Sequence, residues 1–106
     1  MSEEYFYKKK APIEVYQYFP KESFEAFQTF DKAVMKEGAL PVKIKELIAV
    51  ACTHITQCPY CISGHTKRAL RAGATKQEIA EAILIAAALN AGSSIAHSHF
   101  ALSETG

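Results

Sequence analysis

The tripeptide Gln57-Cys58-Pro59 constrains this chain more than any other part of it. It interrupts two stretches with helical periodicity, and proline cannot continue a helix it sits inside. Before it, Ile44, Leu47, Ile48, Ala51, Cys52 and Ile55 repeat at the spacing of one helical face, and Pro41 suits the start of that helix. After it, a new helix is expected with Cys58 at the N-cap and Pro59 at N1, running to a C′ glycine at Gly73. If the chain folds back at Gln57, the two helices form an antiparallel hairpin.

The rest of the sequence also reads as helical. Phe24, Phe27, Phe30 and Val34 make an apolar stripe on a first helix from about Lys21 to Lys36, with Gly38 expected to stop it. Thr75-Lys76-Gln77-Glu78 matches a capping box that opens a helix through about Asn90. Gly92-Ser93-Ser94 is expected to bend the path or allow a very close contact before a last helix over Ile95 to Leu102. Residues 1–19 are the least regular, yet Tyr5, Phe6, Tyr7, Val15, Tyr16, Tyr18 and Phe19 are too apolar for a free tail. The expectation is one all-α domain over residues 1–106, a helical bundle with no strand pairing.

The fold-back brings chemistry together. Cys58 and Cys61 fall on the first turn of their helix, where free amides and the helix dipole favour a thiolate. Their spacing also allows a disulfide. His65 is one turn past Cys61 on the same face, able to take a thiol proton. Glu46 would lie about 18 Å from Cys58 on a continuous helix. In a hairpin it lands opposite residues near position 68, within about a turn of His65, where a carboxylate orients an imidazole and raises its basicity. Cys58, Cys61, His65 and Glu46 are therefore the candidate catalytic set.

Other residues have plainer roles to set beside a functional one. Cys52 reads as a small core residue on an apolar face. His54 and Tyr60 are candidate pocket-lining residues, Tyr60 as a cap or an interface aromatic. His97 and His99 are two apart, a poor chelate on a helix, though His97 is a further pocket candidate from a neighbouring helix or subunit. A competing class is a zinc module, with Cys58, Cys61, His65 and His54 as ligands, but a second C-x-x-C is lacking.

Composition excludes other classes. Twelve basic and eleven acidic residues give a net charge of +1, and no basic stripe interleaves with aromatics, so nucleic acid is not an expected partner. Lys8-Lys9-Lys10 is the only basic run and reads as solvated. The apolar stretch Ile79 to Leu89 is broken by Glu81 and is short for a bilayer, so no membrane is expected. Ser2-Glu3-Glu4-Tyr5 does not resemble a secretory leader, and the cytoplasm is the expected compartment. Ala82, Ala86, Ala87, Ala88, Ala91, Gly92 and Ala96 supply little apolar area for a self-sufficient bundle, which points to a homo-oligomer.

Glu46, eleven residues, then Cys58-x-x-Cys61-x-x-x-His65 resembles the signature of the alkylhydroperoxidase D / carboxymuconolactone decarboxylase family. Lys45-Glu46-Leu47-Ile48-Ala49, Cys58-Pro59-Tyr60-Cys61-Ile62, Ala72-Gly73-Ala74-Thr75 and Glu78-Ile79 agree with it, so the likeness covers about residues 35–97. The resemblance implies an all-α fold and a trimer or a trimer-based hexamer. It also implies a peroxidase that reduces hydroperoxides through a redox disulfide. Cys61 would attack, Cys58 resolve, and His65 and Glu46 relay protons, whereas thioredoxin logic would make Cys58 the nucleophile. No bound cofactor is implied. The partners implied are a hydroperoxide or disulfide substrate and an external dithiol donor. The decarboxylase branch generally lacks the C-x-x-C, so lactone decarboxylation is the less favoured reading, as is an idle structural member.

Overall fold

Gln57 adopts left-handed backbone angles (φ 58°, ψ 48°) and reverses the chain within one residue. A side chain pays roughly 1–2 kcal/mol for that conformation, so packing elsewhere must hold the turn. The amides of Gln57 and Cys58 both donate to Thr53 O, closing the end of the preceding helix. The computed structural model describes residues 13–106, so Tyr5, Phe6, Tyr7 and Lys8-Lys9-Lys10 lie outside the described residues.

A 3-10 turn, Ile13–Tyr18, leads into α1 (Lys21–Met35), α2 (Val42–Thr56), α3 (Pro59–Arg71), α4 (Lys76–Ala96) and α5 (Ser98–Leu102), and a 3-10 turn, Ser103–Thr105, ends the chain. Every regular element among the described residues is helical, and the fold is all-α. The central helix is α2, which packs against α3 on one side and α4 on the other. The hairpin expected at Gln57 is present, with Cys58 at the N-cap of α3 and Pro59 at N1.

Small side chains set the spacing. Val50 and Ala69 are fully buried in the hairpin, and Ala82 and Ala86 bury one face of α4. Alanine at these points lets the helix axes approach closely. Gly73, at φ 98°, follows the Ala72 C-cap and ends α3 as expected of a C′ glycine. Both halves of the capping box form: Thr75 Oγ1 accepts from the Glu78 amide at 3.1 Å, and Glu78 Oε1 accepts from the Thr75 amide at 2.8 Å.

Glu78 also pairs with Lys43 at 2.8 Å, tying the start of α4 to the start of α2. The Lys43 ammonium and the Thr75 amide hold the Glu78 carboxyl below its usual range. A carboxyl with a lowered folded-state pKa stabilises the fold above its unfolded value, and loses that contribution as pH falls through the lowered one. This tie is therefore intact at neutral pH and fades only in acid. Thr75→Ala should cost about 1 kcal/mol in urea denaturation. The loss should be smaller in Thr75→Ser, which keeps the accepting oxygen.

Several expectations need correction. Gly38 does not cap α1: the helix ends at Met35 with an extended Lys36, and Lys45 Nζ donates to Val34 O at 2.7 Å and to Lys36 O. A cation at the carbonyl end substitutes for the glycine. Gly92-Ser93-Ser94 does not bend the chain, because α4 continues through it to Ala96 and the break comes at His97. The consequence is that α4 and the segment after it are long and apolar enough to cross a bilayer by length and composition. Shortness therefore does not exclude a span, although Ala82 and Ala86 are covered by the rest of this chain.

The expected apolar faces are largely open. On α2 the buried residues are Glu46, Val50 and Thr53, which face α3. Ile44, Ile48 and Ile55 are exposed, and Cys52 is exposed rather than in a core. They line an apolar groove of about 500 Å³ between α2 and α4. On α1, Phe27 and Phe30 are 61% and 66% exposed, and no residue is buried. Periodicity marked these faces correctly as apolar, but a single chain has nothing to lay against them.

Candidate active site

Two local decisions place the thiols. Pro59 starts α3 and Cys58 caps it, so Cys58 and Cys61 sit one turn apart with Cα atoms 5.2 Å from each other. That is within the range a disulfide bridges, and the two are joined as one. The Cys61 amide donates to Cys58 Sγ at 3.2 Å. Once the disulfide is reduced, the same amide and the helix dipole favour negative charge on sulfur.

The hairpin supplies the second half. Glu46, only 2% exposed, meets α3 across the fold-back. Its two oxygens lie 3.1 and 3.2 Å from His65 Nδ1, and Oε2 also accepts from Arg68 Nε at 3.3 Å. Arg68 Nη2 is 3.3 Å from the same His65 Nδ1. A carboxylate only accepts and a guanidinium only donates, so Nδ1 can satisfy just one of them. Stranding a buried carboxylate costs about 1–3 kcal/mol or more, while a half-exposed guanidinium turns to water at little cost. Nδ1–H therefore donates to Glu46, and Nε2 is the nitrogen left with a free lone pair.

Glu46, His65 and Arg68 form one wall of a cleft of about 690 Å³. Lys32 and Arg71 are also on its lining. Tyr60, His54 and His97 do not line it. Tyr60 is half-buried between the cysteines at the other end of the motif. The His54 ring is engaged by its own helix, with Nδ1 2.7 Å from Val50 O. His97 pairs with Ser93 at 3.5 Å and packs on Phe100, and His99 contacts Ala96 O at 3.2 Å. Both belong to the exposed end of α4 and to α5. Among the described residues no three His, Cys, Asp or Glu side chains converge as a metal site.

Arg68 is the site residue that sequence reasoning left without a role. The signal was present, since position 68 is where a hairpin at Gln57 sets the partner of Glu46. A solvated arginine on a helix end is common enough to hide it.

The description "Carboxymuconolactone decarboxylase family" attaches to a family model that matches residues 21–104. "Uncharacterized protein 4 in cox locus" of Paracoccus denitrificans is 51% identical over 78 residues, which are 74% of this chain and 70% of that protein. An uncharacterized protein of Cupriavidus necator is 43% identical over 63 residues, 59% of this chain and 56% of its own length. A crystal structure of a protein from Methanobacterium thermoautotrophicum superposes with a TM-score of 0.70 at 41% identity, covering 74% of this chain and 88% of that one.

Proposed function

This chain belongs to the carboxymuconolactone decarboxylase family, in its alkylhydroperoxidase D-like form, and we propose that it is a dithiol peroxidase working through Cys58 and Cys61. The observation that carries the reading is the Cys58–Cys61 disulfide on the first turn of α3, with a Glu46-oriented His65 one turn further on. Neither a lactone decarboxylation nor a purely structural member has a use for that combination.

In the reduced enzyme, His65 Nε2 takes the proton of the attacking thiol, assigned to Cys61. The thiolate attacks one peroxide oxygen, the O–O bond breaks, and an alcohol leaves with the proton returned by His65. Cys61 is left as a sulfenic acid. The Cys58 sulfur then displaces water from it and closes the disulfide. Two electrons have passed from the dithiol to the hydroperoxide. An external dithiol donor restores them by thiol–disulfide exchange and is itself oxidised. No bound cofactor takes part. The expected setting is the cytoplasm, with neither nucleic acid nor membrane as partner.

The test is peroxide consumption with several dithiol donors, with the Cys58–Cys61 state followed by mass spectrometry. Stoichiometric alcohol formation coupled to disulfide closure supports the reading. A dithiol that stays reduced under peroxide excess sinks it.

The exposed stripe of α1 and the open α2–α4 groove support a homo-oligomer, a trimer or hexamer of the 11.7 kDa chain. Light scattering should give three or six times the chain mass. Phe30→Glu, which charges the α1 stripe, should lower it, whereas an unchanged mass would remove α1 from the interface.

A further inference from the structure

Two apolar surfaces of this chain match each other in shape and length. On α1, Phe27, Phe30 and Val34 stand at i, i+3 and i+7 and are 61%, 66% and 47% exposed. The helix buries no residue, and among the described residues its hydrogen bonds to another helix are those that Lys45 makes to the carbonyls of Val34 and Lys36. A helix of 15 residues is marginal in water without a packed face. The α2–α4 groove has the converse shape, with Ile48, Ile55, Ile85 and Leu89 43–61% exposed along it. Ile48 to Ile55 runs about 10 Å along α2, as Phe27 to Val34 does along α1. Anchors at i, i+3 and i+7 are how an amphipathic helix enters such a groove.

The two do not meet within one chain. α1 lies on the α3 side of α2, where Lys32 and Met35 line the cleft with Glu46 and His65. The groove opens on the α4 side. We infer that α1 of one copy seats in the α2–α4 groove of another, with Phe27, Phe30 and Val34 as its anchors. The inference rests on the homo-oligomer reading and adds which surface meets which. Area favours a second copy as the occupant: covering stripe and groove takes roughly 700–800 Å² per copy out of water, the share each partner gives a stable interface. The two sides of the contact are unlike, so it is either exchanged within a pair or passed round a ring. It also reaches the active site. Lys45 anchors the α1 wall of the cleft at one end in its own chain, and the neighbour's groove holds the rest of that wall in place.

The experiment uses the full chain with its Cys58–Cys61 disulfide closed. Phe30→Glu charges the stripe and Ile48→Glu the groove. Each alone should lose the parent mass in native mass spectrometry. Mixed, they should form pairs holding one copy of each, because the intact stripe of Ile48→Glu fits the intact groove of Phe30→Glu. Ile48→Glu should also strip hydrogen-exchange protection from α1, although the substitution is on α2, while α3 keeps its own. Cys52, exposed in the groove, reports the contact directly: in Val34→Cys, a short bis-maleimide should join position 34 of one copy to Cys52 of another. That link needs no charged variant, so it decides the matter if Ile48→Glu fails to fold. Either charged variant keeping the parent mass overturns the inference. Variants that both lose mass but never pair when mixed, or links that join position 34 only to position 34, overturn it and leave the homo-oligomer standing. A parent that is itself a monomer overturns both. None of these outcomes bears on the dithiol reading, which the peroxide assay tests separately.

Discussion

Cys61→Ser and Cys58→Ser should each reduce dithiol-dependent peroxide turnover by about 10³-fold or more, because each removes one half of the electron-carrying pair. The two variants should fail differently. With Cys61 attacking, Cys58→Ser still reacts once with peroxide and stops at a Cys61 sulfenic acid, which a dimedone probe captures. Cys61→Ser should yield no such adduct on Cys58. The reverse pattern would assign the attack to Cys58, in keeping with the amide that Cys61 donates to its sulfur. Turnover preserved in either variant would refute the dithiol mechanism altogether. Cys52, exposed in the α2–α4 groove, has no part in this, and Cys52→Ser should leave the chemistry unchanged.

Glu46→Gln is expected to be nearly as damaging, lowering turnover by about 10²-fold with the thiols intact. Its two oxygens accept from different donors, His65 and Arg68. An amide has one accepting oxygen and one donating nitrogen. If the oxygen stays with Arg68, the amide nitrogen faces His65 Nδ1 and forces it to accept. The ring proton then moves to Nε2, and the base is lost. If the oxygen stays with His65, the amide nitrogen meets Arg68 and that contact opens. Thiol alkylation at neutral pH should slow in parallel, since the thiol loses its proton acceptor. His65→Gln should slow both to a similar extent, and the double variant should be no worse than His65→Gln alone, because the two act as one unit. Additive losses would mean that Glu46 serves the fold rather than the histidine.

These results rest on different parts of the sequence. The helices were legible because periodicity and punctuation agree: Pro59 opens α3, Gly73 ends it, and Thr75 with Glu78 opens α4. The fold-back at Gln57 was also legible, and with it the approach of Glu46 to position 68. Single residues are weaker stops than such agreement. Gly38 and Gly92 look like punctuation, but Lys45 closes α1 from another helix, and α4 runs on through Gly92 to Ala96. Periodicity marks the apolar faces of α1 and α2, yet burial is a property of what covers a face.

The sequence by itself determined the family, the all-helical class and the covalent order of the thiols and histidine, since these follow from spacing along one chain. Tertiary structure decided the state of the base. Glu46 and His65 are 19 positions apart and Arg68 lies three beyond the histidine, so only the packing of α2 on α3 brings an acceptor and a donor to the same imidazole nitrogen. Which of them that nitrogen serves depends on burial: the carboxylate is shut away from water and the guanidinium is not.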